Sequence, residues 1–229
     1  MNKPTLLLVD DSELILSELS LVLRESDRFS RILKARDGED AIRTCIMDRP
    51  GVIVLDLQMP RMDGFTFLRW VIANQPVPVI IFSSAGTDEN IFRALDLGAV
   101  DFITKPETYI DHDFREHFLQ KIDAALQAQV QPDPGKRQSD TAAKDPAPVA
   151  PLPRSPVQAL LIGASTGGPT AIQHLLEAIP VDVSFTVLVA QHMPRAFTSV
   201  FAQRLNMMLD WTVKEAVDGE KPEARTVYI

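Results

Sequence analysis

Short apolar, β-branched runs alternate with segments of helical period through the first half of this chain. Thr5–Val9, Arg31–Ala35, Val52–Leu55, Val77–Ser83 and Asp101–Thr104 are brief and bounded by polar or turn-forming residues, which predicts strands. Between them Leu14–Arg24, Glu39–Asp48, Phe65–Ala73 and Asn90–Leu97 repeat their apolar residues every three or four positions, which predicts helices. A fifth helix is expected over Asp113–Gln129. Five βα repeats imply a parallel sheet covered by helices on both faces. In such open sheets the chemistry collects outside the carboxyl ends of the strands.

The pattern breaks after the fifth helix. Gln131 to Pro156 holds seven prolines and few large apolar residues, so it cannot bury enough surface to offset its ordering and reads as a semi-extended linker. Periodicity resumes with a strand at Gln158–Gly163, a helix at Thr170–Ala178, a strand at Phe185–Ala190 and a helix at Phe197–Leu209. Trp211–Val217 and Thr226–Ile229 are expected to be further strands. The fold class is therefore α/β: a five-stranded parallel domain over 1–126, a linker over 127–156, and a doubly wound α/β domain begun over 157–229 and expected to be incomplete.

Composition narrows the function classes. At 229 residues, 45% hydrophobic and 24% charged, the chain has the make-up of a globular protein of one or two domains. No apolar run approaches the ~20 residues needed to span a bilayer, so direct membrane insertion is not expected. The start of the chain lacks a signal-peptide pattern, and the lone Cys45 cannot form an internal disulfide; together these point to the cytoplasm, with Cys45 as a core residue of an amphipathic helix. The net charge of −8 is concentrated in residues 1–126, where 21 acidic side chains face 14 basic ones. No basic patch or helix-turn-helix pattern offsets this, which argues against nucleic-acid binding.

Asp10 and Asp11 end the first expected strand and Asp56 the third. Neighbouring strands lie ~4.8 Å apart, so those ends bring three carboxylates together. Carboxylates so close repel one another unless a cation neutralises them, and hard oxygen donors suit Mg²⁺. A metal-flanked aspartate can attack a phosphoryl group and form an acyl phosphate. Ser83 and Lys105, ending the fourth and fifth strands, could bind the phosphoryl oxygens. The plain alternative for each residue alone is a solvated strand-end carboxylate.

Taken jointly, Leu8-Val9-Asp10-Asp11-Ser12, Leu55-Asp56-Leu57-Gln58-Met59-Pro60-Arg61-Met62-Asp63-Gly64, Ser83-Ser84-Ala85 and Thr104-Lys105-Pro106 resemble a response-regulator receiver domain across roughly residues 4–125. The resemblance implies that Asp56 is the phosphoacceptor. It implies that Asp11, Asp56 and the Gln58 backbone carbonyl ligate Mg²⁺, with Asp10 supporting the metal through water. Ser83 would be the switch hydroxyl, Lys105 the phosphate partner before a cis Pro106, and Phe102 the aromatic switch, although Phe102 can equally be read as core.

In the second half Ser165 stands between Gly163 and Gly167, after an apolar strand and before a helix. Small flanking residues permit the tight strand-to-helix turn that exposes a nucleophilic serine, and amides at the helix start can stabilise an oxyanion. A glycine-rich helix start with no chemistry gives the same pattern. A dinucleotide fingerprint fits less well, because it needs glycine where Ser165 stands. His192 follows the next expected strand, at the same sheet edge, where it can serve as a general base or be structural. His112, His117 and His174 fall on helices or their approaches and suit that role less.

Ile162-Gly163-Ala164-Ser165-Thr166-Gly167-Gly168-Pro169, with Gln191-His192-Met193-Pro194 and Phe197-Thr198, is similar to the CheB family of chemotaxis methylesterases, which join receiver, linker and esterase in this order. The resemblance implies Ser165 as nucleophile, His192 as base and Thr166–Gly168 shaping the oxyanion region. It implies hydrolysis of glutamyl methyl esters and deamidation of glutamines on chemoreceptors, with phosphorylation of Asp56 by a chemotaxis histidine kinase relieving inhibition by the receiver.

The family's triad is completed by an aspartate further downstream. Asp210 and Asp218 are the aspartates that follow His192 here, and neither stands in that motif. Loss of the orienting carboxylate costs about 10⁴ in turnover in serine proteases, so the chain as given is expected to be inactive as an esterase on its own and a fragment of a longer protein. The competing expectation is a phospho-dependent receiver and binding module without esterase output.

Overall fold

The apolar runs of the first half become the strands of one sheet. β1 (Thr5–Val9), β2 (Arg31–Ala35), β3 (Val52–Leu55), β4 (Val79–Ser83) and β5 (Asp101–Thr104) lie in the order β2-β1-β3-β4-β5, all parallel. The computed structural model describes residues 3–84, 88–106, 110–128, 159–180 and 182–229. The chain divides into two compact units, residues 1–134 and 135–229. Residues 129–156 of the expected linker lie outside the described residues.

Helices α1 (Glu13–Glu25), α2 (Gly38–Asp48), α3 (Gly64–Asn74), α4 (Asp88–Asp96) and α5 (His112–Gln127) follow the strands in turn. Three acidic residues help to start them. Asp37, Asp63 and Asp111 are N-caps whose carboxylates accept from the backbone N–H groups of Asp40, Thr66 and Phe114. Such a cap satisfies donors that a helix start leaves unpaired. The fourth strand begins at Val79 rather than the expected Val77, because Pro76 and Pro78 have no N–H to give a ladder.

Alternation along the strands splits the core in two. Leu6, Leu8, Val54, Ile80 and Phe82 face one way and pack with Leu16, Leu19, Phe118 and Ile122 of α1 and α5. Leu7, Ile53 and Ile81 alternate with them and are equally buried. Cys45 is buried on α2, as its position on an amphipathic helix predicts.

The second unit repeats the scheme. β6 (Ala159–Ala164), α6 (Gly168–Ala178), β7 (Thr186–Gln191), α7 (Arg195–Met208), β8 (Thr212–Lys214) and β9 (Thr226–Tyr228) form a four-stranded parallel sheet in the order β6-β7-β9-β8. The eighth strand is shorter than the expected Trp211–Val217. Trp211 turns its indole N–H to the Leu176 carbonyl at 3.1 Å, and the Val217 N–H donates to the Glu220 carboxylate at 2.6 Å. β6 buries its side chains only partly, and Leu161 is 73% exposed. No described helix is long and apolar enough to cross a membrane.

Candidate functional site

Two clusters of polar side chains stand at carboxyl strand ends, one in each unit. In the first, the register pairs Val9 with Leu55, so Asp10 and Asp56 emerge side by side. The Asp56 N–H donates to the Val9 carbonyl at 2.8 Å, which continues the ladder to the acidic residue itself. Asp10 and Asp56 are buried, whereas Asp11 is exposed. One carboxylate oxygen from each of the three lies within 4.8 Å of the others.

Lys105 closes the cluster. Its Nζ is 2.7 Å from Oδ2 of Asp10 and 2.7 Å from Oδ2 of Asp56. Burial is the largest influence on the Lys105 ammonium and would lower its pKa, but hydrogen bonds and charge from Asp10 and Asp56 together outweigh it and raise the pKa. For Asp10 burial dominates and raises the carboxyl pKa, against the opposing pull of Lys105 and the Ser12 N–H. The Ser12 N–H donates to Asp10 Oδ1 at 2.9 Å and the Gln58 N–H to Asp56 Oδ1 at 3.1 Å, so each carboxylate is held at a second point.

Three carboxylates against one ammonium, all hard donors and partly open through Asp11, form a set that fits a divalent cation such as Mg²⁺. Gln58 follows Asp56 in the same exposed loop, with its backbone already tied to the Asp56 side chain. Ser83 ends β4 fully buried, and its carbonyl accepts from the Lys105 N–H at 2.8 Å. Phe102 is buried in β5. The expected cis bond before Pro106 is not found: no described peptide is cis.

Sequence reasoning missed the support behind Phe102. Lys121 of α5 places Nζ 2.7 Å from Asp101 Oδ2 and 5.5 Å from the Phe102 ring centre, and both charged side chains are buried. Helical period alone put Lys121 on α5 without showing that it points inward.

In the second unit β6 and β7 pair through Ala164 and Gln191, which sets Ser165 and His192 just beyond the last paired position. Ser165 Oγ lies 3.4 Å from His192 Nδ1, at the long limit of a hydrogen bond and usual for a site without substrate. Both side chains are exposed. Gly167 adopts φ +74°, which favours glycine, and starts α6 without a side-chain cap. A Cβ on Gly168 would stand 1.9 Å from Gln191 Oε1, whereas one on Gly163 would meet no described residue within 4 Å. The tight turn therefore needs Gly167 and Gly168, whereas no described residue makes Gly163 sterically necessary.

His112 and His174 are exposed on α5 and α6, and His117 lies on α5. Asp210 and Asp218 are exposed. Two polar partners at this edge were not anticipated. Glu215, just past β8, accepts from the Thr198 hydroxyl, and the Gln191 amide donates to the Ser165 carbonyl.

Comparison with known proteins matches the same two units. The family model for the response regulator receiver domain covers residues 6–111 and that for CheB methylesterase covers residues 160–229. Protein-glutamate methylesterase/protein-glutamine glutaminase 6 of Anaeromyxobacter dehalogenans is 43% identical over 93% of this chain and 59% of its own length. Protein-glutamate methylesterase/protein-glutamine glutaminase 3 of Geobacter sulfurreducens is 38% identical over 100% of this chain and 67% of its own length. This chain thus spans about three fifths to two thirds of the length of those relatives. Among solved structures, the response regulator domain of Thermotoga maritima CheB is 32% identical, covering 55% of this chain and 98% of that one, with a TM-score of 0.45.

Proposed function

The chain belongs to the family of receiver-linked CheB methylesterases, and from that premise we propose that it is a phosphorylation-controlled chemotaxis regulator whose esterase removes methyl groups from chemoreceptor glutamates. The observation that carries this reading is the approach of Ser165 Oγ to His192 Nδ1, at 3.4 Å, on adjacent strand ends. Deamidation of receptor glutamines follows from the same chemistry, because an amide carbonyl is attacked as an ester carbonyl is.

At the receiver, Asp56 is the nucleophile toward the phosphoryl group carried by a histidine kinase. Mg²⁺, when bound by Asp11, Asp56 and the Gln58 carbonyl with Asp10 behind, supplies Lewis-acid neutralisation of phosphoryl charge. Lys105 Nζ, now shared between Asp10 and Asp56, is within reach of the transferred oxygens, and the Ser83 hydroxyl is a second donor at the adjoining strand end. Phe102, buried beside Ser83's strand, is the side chain proposed to respond to that rearrangement. The response releases the esterase from restraint by the receiver.

At the esterase, His192 takes the Ser165 hydroxyl proton as Oγ bonds to the glutamyl carbonyl carbon. The carbonyl oxygen becomes the oxyanion, met by amides at the start of α6. Collapse breaks the bond to methoxide, which leaves as methanol with the proton from His192. Water, deprotonated by His192, then cleaves the acyl-serine and restores Ser165. An orienting carboxylate would bind the far ring nitrogen, Nε2.

The test is methanol release from methylated receptor in membranes or as a cytoplasmic fragment. Release should rise with a phosphodonor and Mg²⁺, lose that response in Asp56→Asn, and vanish in Ser165→Ala. Undiminished release from Ser165→Ala would end the proposal. A second reading, a phospho-dependent binding module without esterase output, is favoured by the closely held Asp10, Asp56 and Lys105 cluster, which stands within the first unit alone. It predicts phosphorylation at Asp56 with no Ser165-dependent methanol.

A further inference from the structure

The side chain of Gln191 joins the two catalytic candidates through their backbones. Ala164 and Gln191 are the last register partners of β6 and β7. The His192 N–H donates to the Ala164 carbonyl at 2.8 Å as the final main-chain rung. Past it β6 leaves the sheet for the turn into α6, and the next link is a side chain. Gln191 Nε2 donates to the Ser165 carbonyl at 2.9 Å and to the His192 carbonyl at 3.2 Å. Carbonyls only accept, so the amide must turn its NH₂ end toward them. The Ser165 carbonyl also accepts from the Gly168 N–H at 2.8 Å, which fills both of its lone pairs.

That carbonyl shares a peptide plane with the Thr166 N–H. In a trans peptide the C=O and N–H point in opposite directions, and no described peptide is cis. Holding the Ser165 carbonyl toward Gln191 and Gly168 therefore turns the Thr166 N–H the other way. In a nucleophile elbow the N–H after the serine is an oxyanion donor. The opposite end of the Gln191 amide shows what this arrangement costs. Its Oε1 is buried without a hydrogen-bond partner among the described residues, and it fills the space that a Cβ at position 168 would take. A buried acceptor left so is unfavourable, because it has given up its bond to water without replacing it. A side chain serving packing alone would not need to carry it.

We propose that Gln191 is a positioning residue of the esterase site, aiming the Thr166 N–H at the substrate oxyanion by pinning the Ser165 carbonyl. The inference rests on the esterase reading of Ser165 and His192. Loss of one oxyanion donor costs about 10²–10³ in turnover, and a misaimed donor costs part of that.

The test uses the complete gene product and methylated receptor, with kcat and KM measured separately. Gln191→Met keeps the volume and removes both donors; it should lower kcat about 10- to 100-fold and leave KM and the melting midpoint near their original values. Gln191→Glu, which sets a carboxylate against two carbonyls, should lower kcat at least as far and lower melting too, so Gln191→Met is the discriminating variant: a purely structural role would lower its melting and activity in step. Unchanged kcat in Gln191→Met, or a change confined to KM, overturns the proposal. No Ser165-dependent methanol from the unsubstituted protein overturns the esterase reading instead. In that event amide exchange decides the clamp: at least tenfold faster exchange of the Gly168 and His192 amides in Gln191→Met upholds it, and unchanged exchange removes it.

Discussion

Lys121 reaches inward from α5 to hold Asp101 at 2.7 Å, and both side chains are at most 5% exposed. Asp101 is in turn fixed by the Phe102 N–H, which donates to its other oxygen at 2.7 Å. An ion pair removed from water costs desolvation on both sides, so its worth shows mainly when one member is deleted. Lys121→Ala leaves a buried carboxylate without its cation and should destabilise the first unit by about 3–5 kcal/mol. The Lys121→Met, Asp101→Asn double variant removes both charges and should recover most of that loss. Urea denaturation of the single and double variants, compared in one cycle, measures it; a single variant as stable as the original would refute the account.

Asp37 links α2 to the loop that follows Asp56. Its carboxylate accepts from the Asp40 N–H at 2.8 Å and pairs with Arg61, which holds the uncommon φ of +65°. The Asp40 N–H, aided by Arg61, pulls the Asp37 pKa below its ordinary 3.8. A depressed carboxyl pKa stabilises the fold above the ordinary value, and that contribution disappears as pH falls through the folded value. Asp37→Asn keeps a capping oxygen but cannot titrate. Its stability should therefore decline less steeply than that of the original protein below about pH 4. Urea midpoints across the acid range check this, and parallel curves would contradict it.

Much of this architecture was legible because each level agreed with the next. The five strands of the first sheet coincide with apolar runs, and Asp10, Asp56, Ser83 and Lys105 fall at their ends, where a parallel sheet collects its chemistry. Ser165 and His192 were readable for the same reason, each one residue past a strand. Side-chain direction was not readable. Whether Lys121 points inward, or Gln191 toward Ser165, depends on neighbours distant in sequence. Gly163 misled in the opposite sense, since its place in the Gly-x-Ser-x-Gly pattern suggested a steric need that no described residue near it imposes.

Cys45 has no solvent-exposed surface, and burial pushes its thiol pKa up to about 12. Thiolate is the reactive form, so both access and ionisation oppose modification. The native protein should show less than one tenth of an equivalent of thiol toward a disulfide reagent at about pH 8. In denaturant the single cysteine should react fully. Rapid labelling without denaturant would mean that α2 opens locally on the assay timescale.

Glycine substitutions separate the two sides of the Ser165 turn. At Gly163 an added methyl meets no described residue within 4 Å, so Gly163→Ala should fold and retain whatever Ser165 chemistry the protein has. At Gly168 the same methyl lands 1.9 Å from Gln191 Oε1 and 2.9 Å from the Ala164 Cβ. The Gln191 amide would have to leave the Ser165 carbonyl, and α6 would have to shift from the β6 end. Gly167→Ala fails for another reason, because φ +74° costs a residue with a Cβ about 1–2 kcal/mol. Methanol release should thus fall steeply in Gly168→Ala, fall less in Gly167→Ala with a lower melting midpoint, and persist in Gly163→Ala. The reverse order, with Gly163→Ala the most damaging, would show that the turn is shaped by contacts to the β6 side instead.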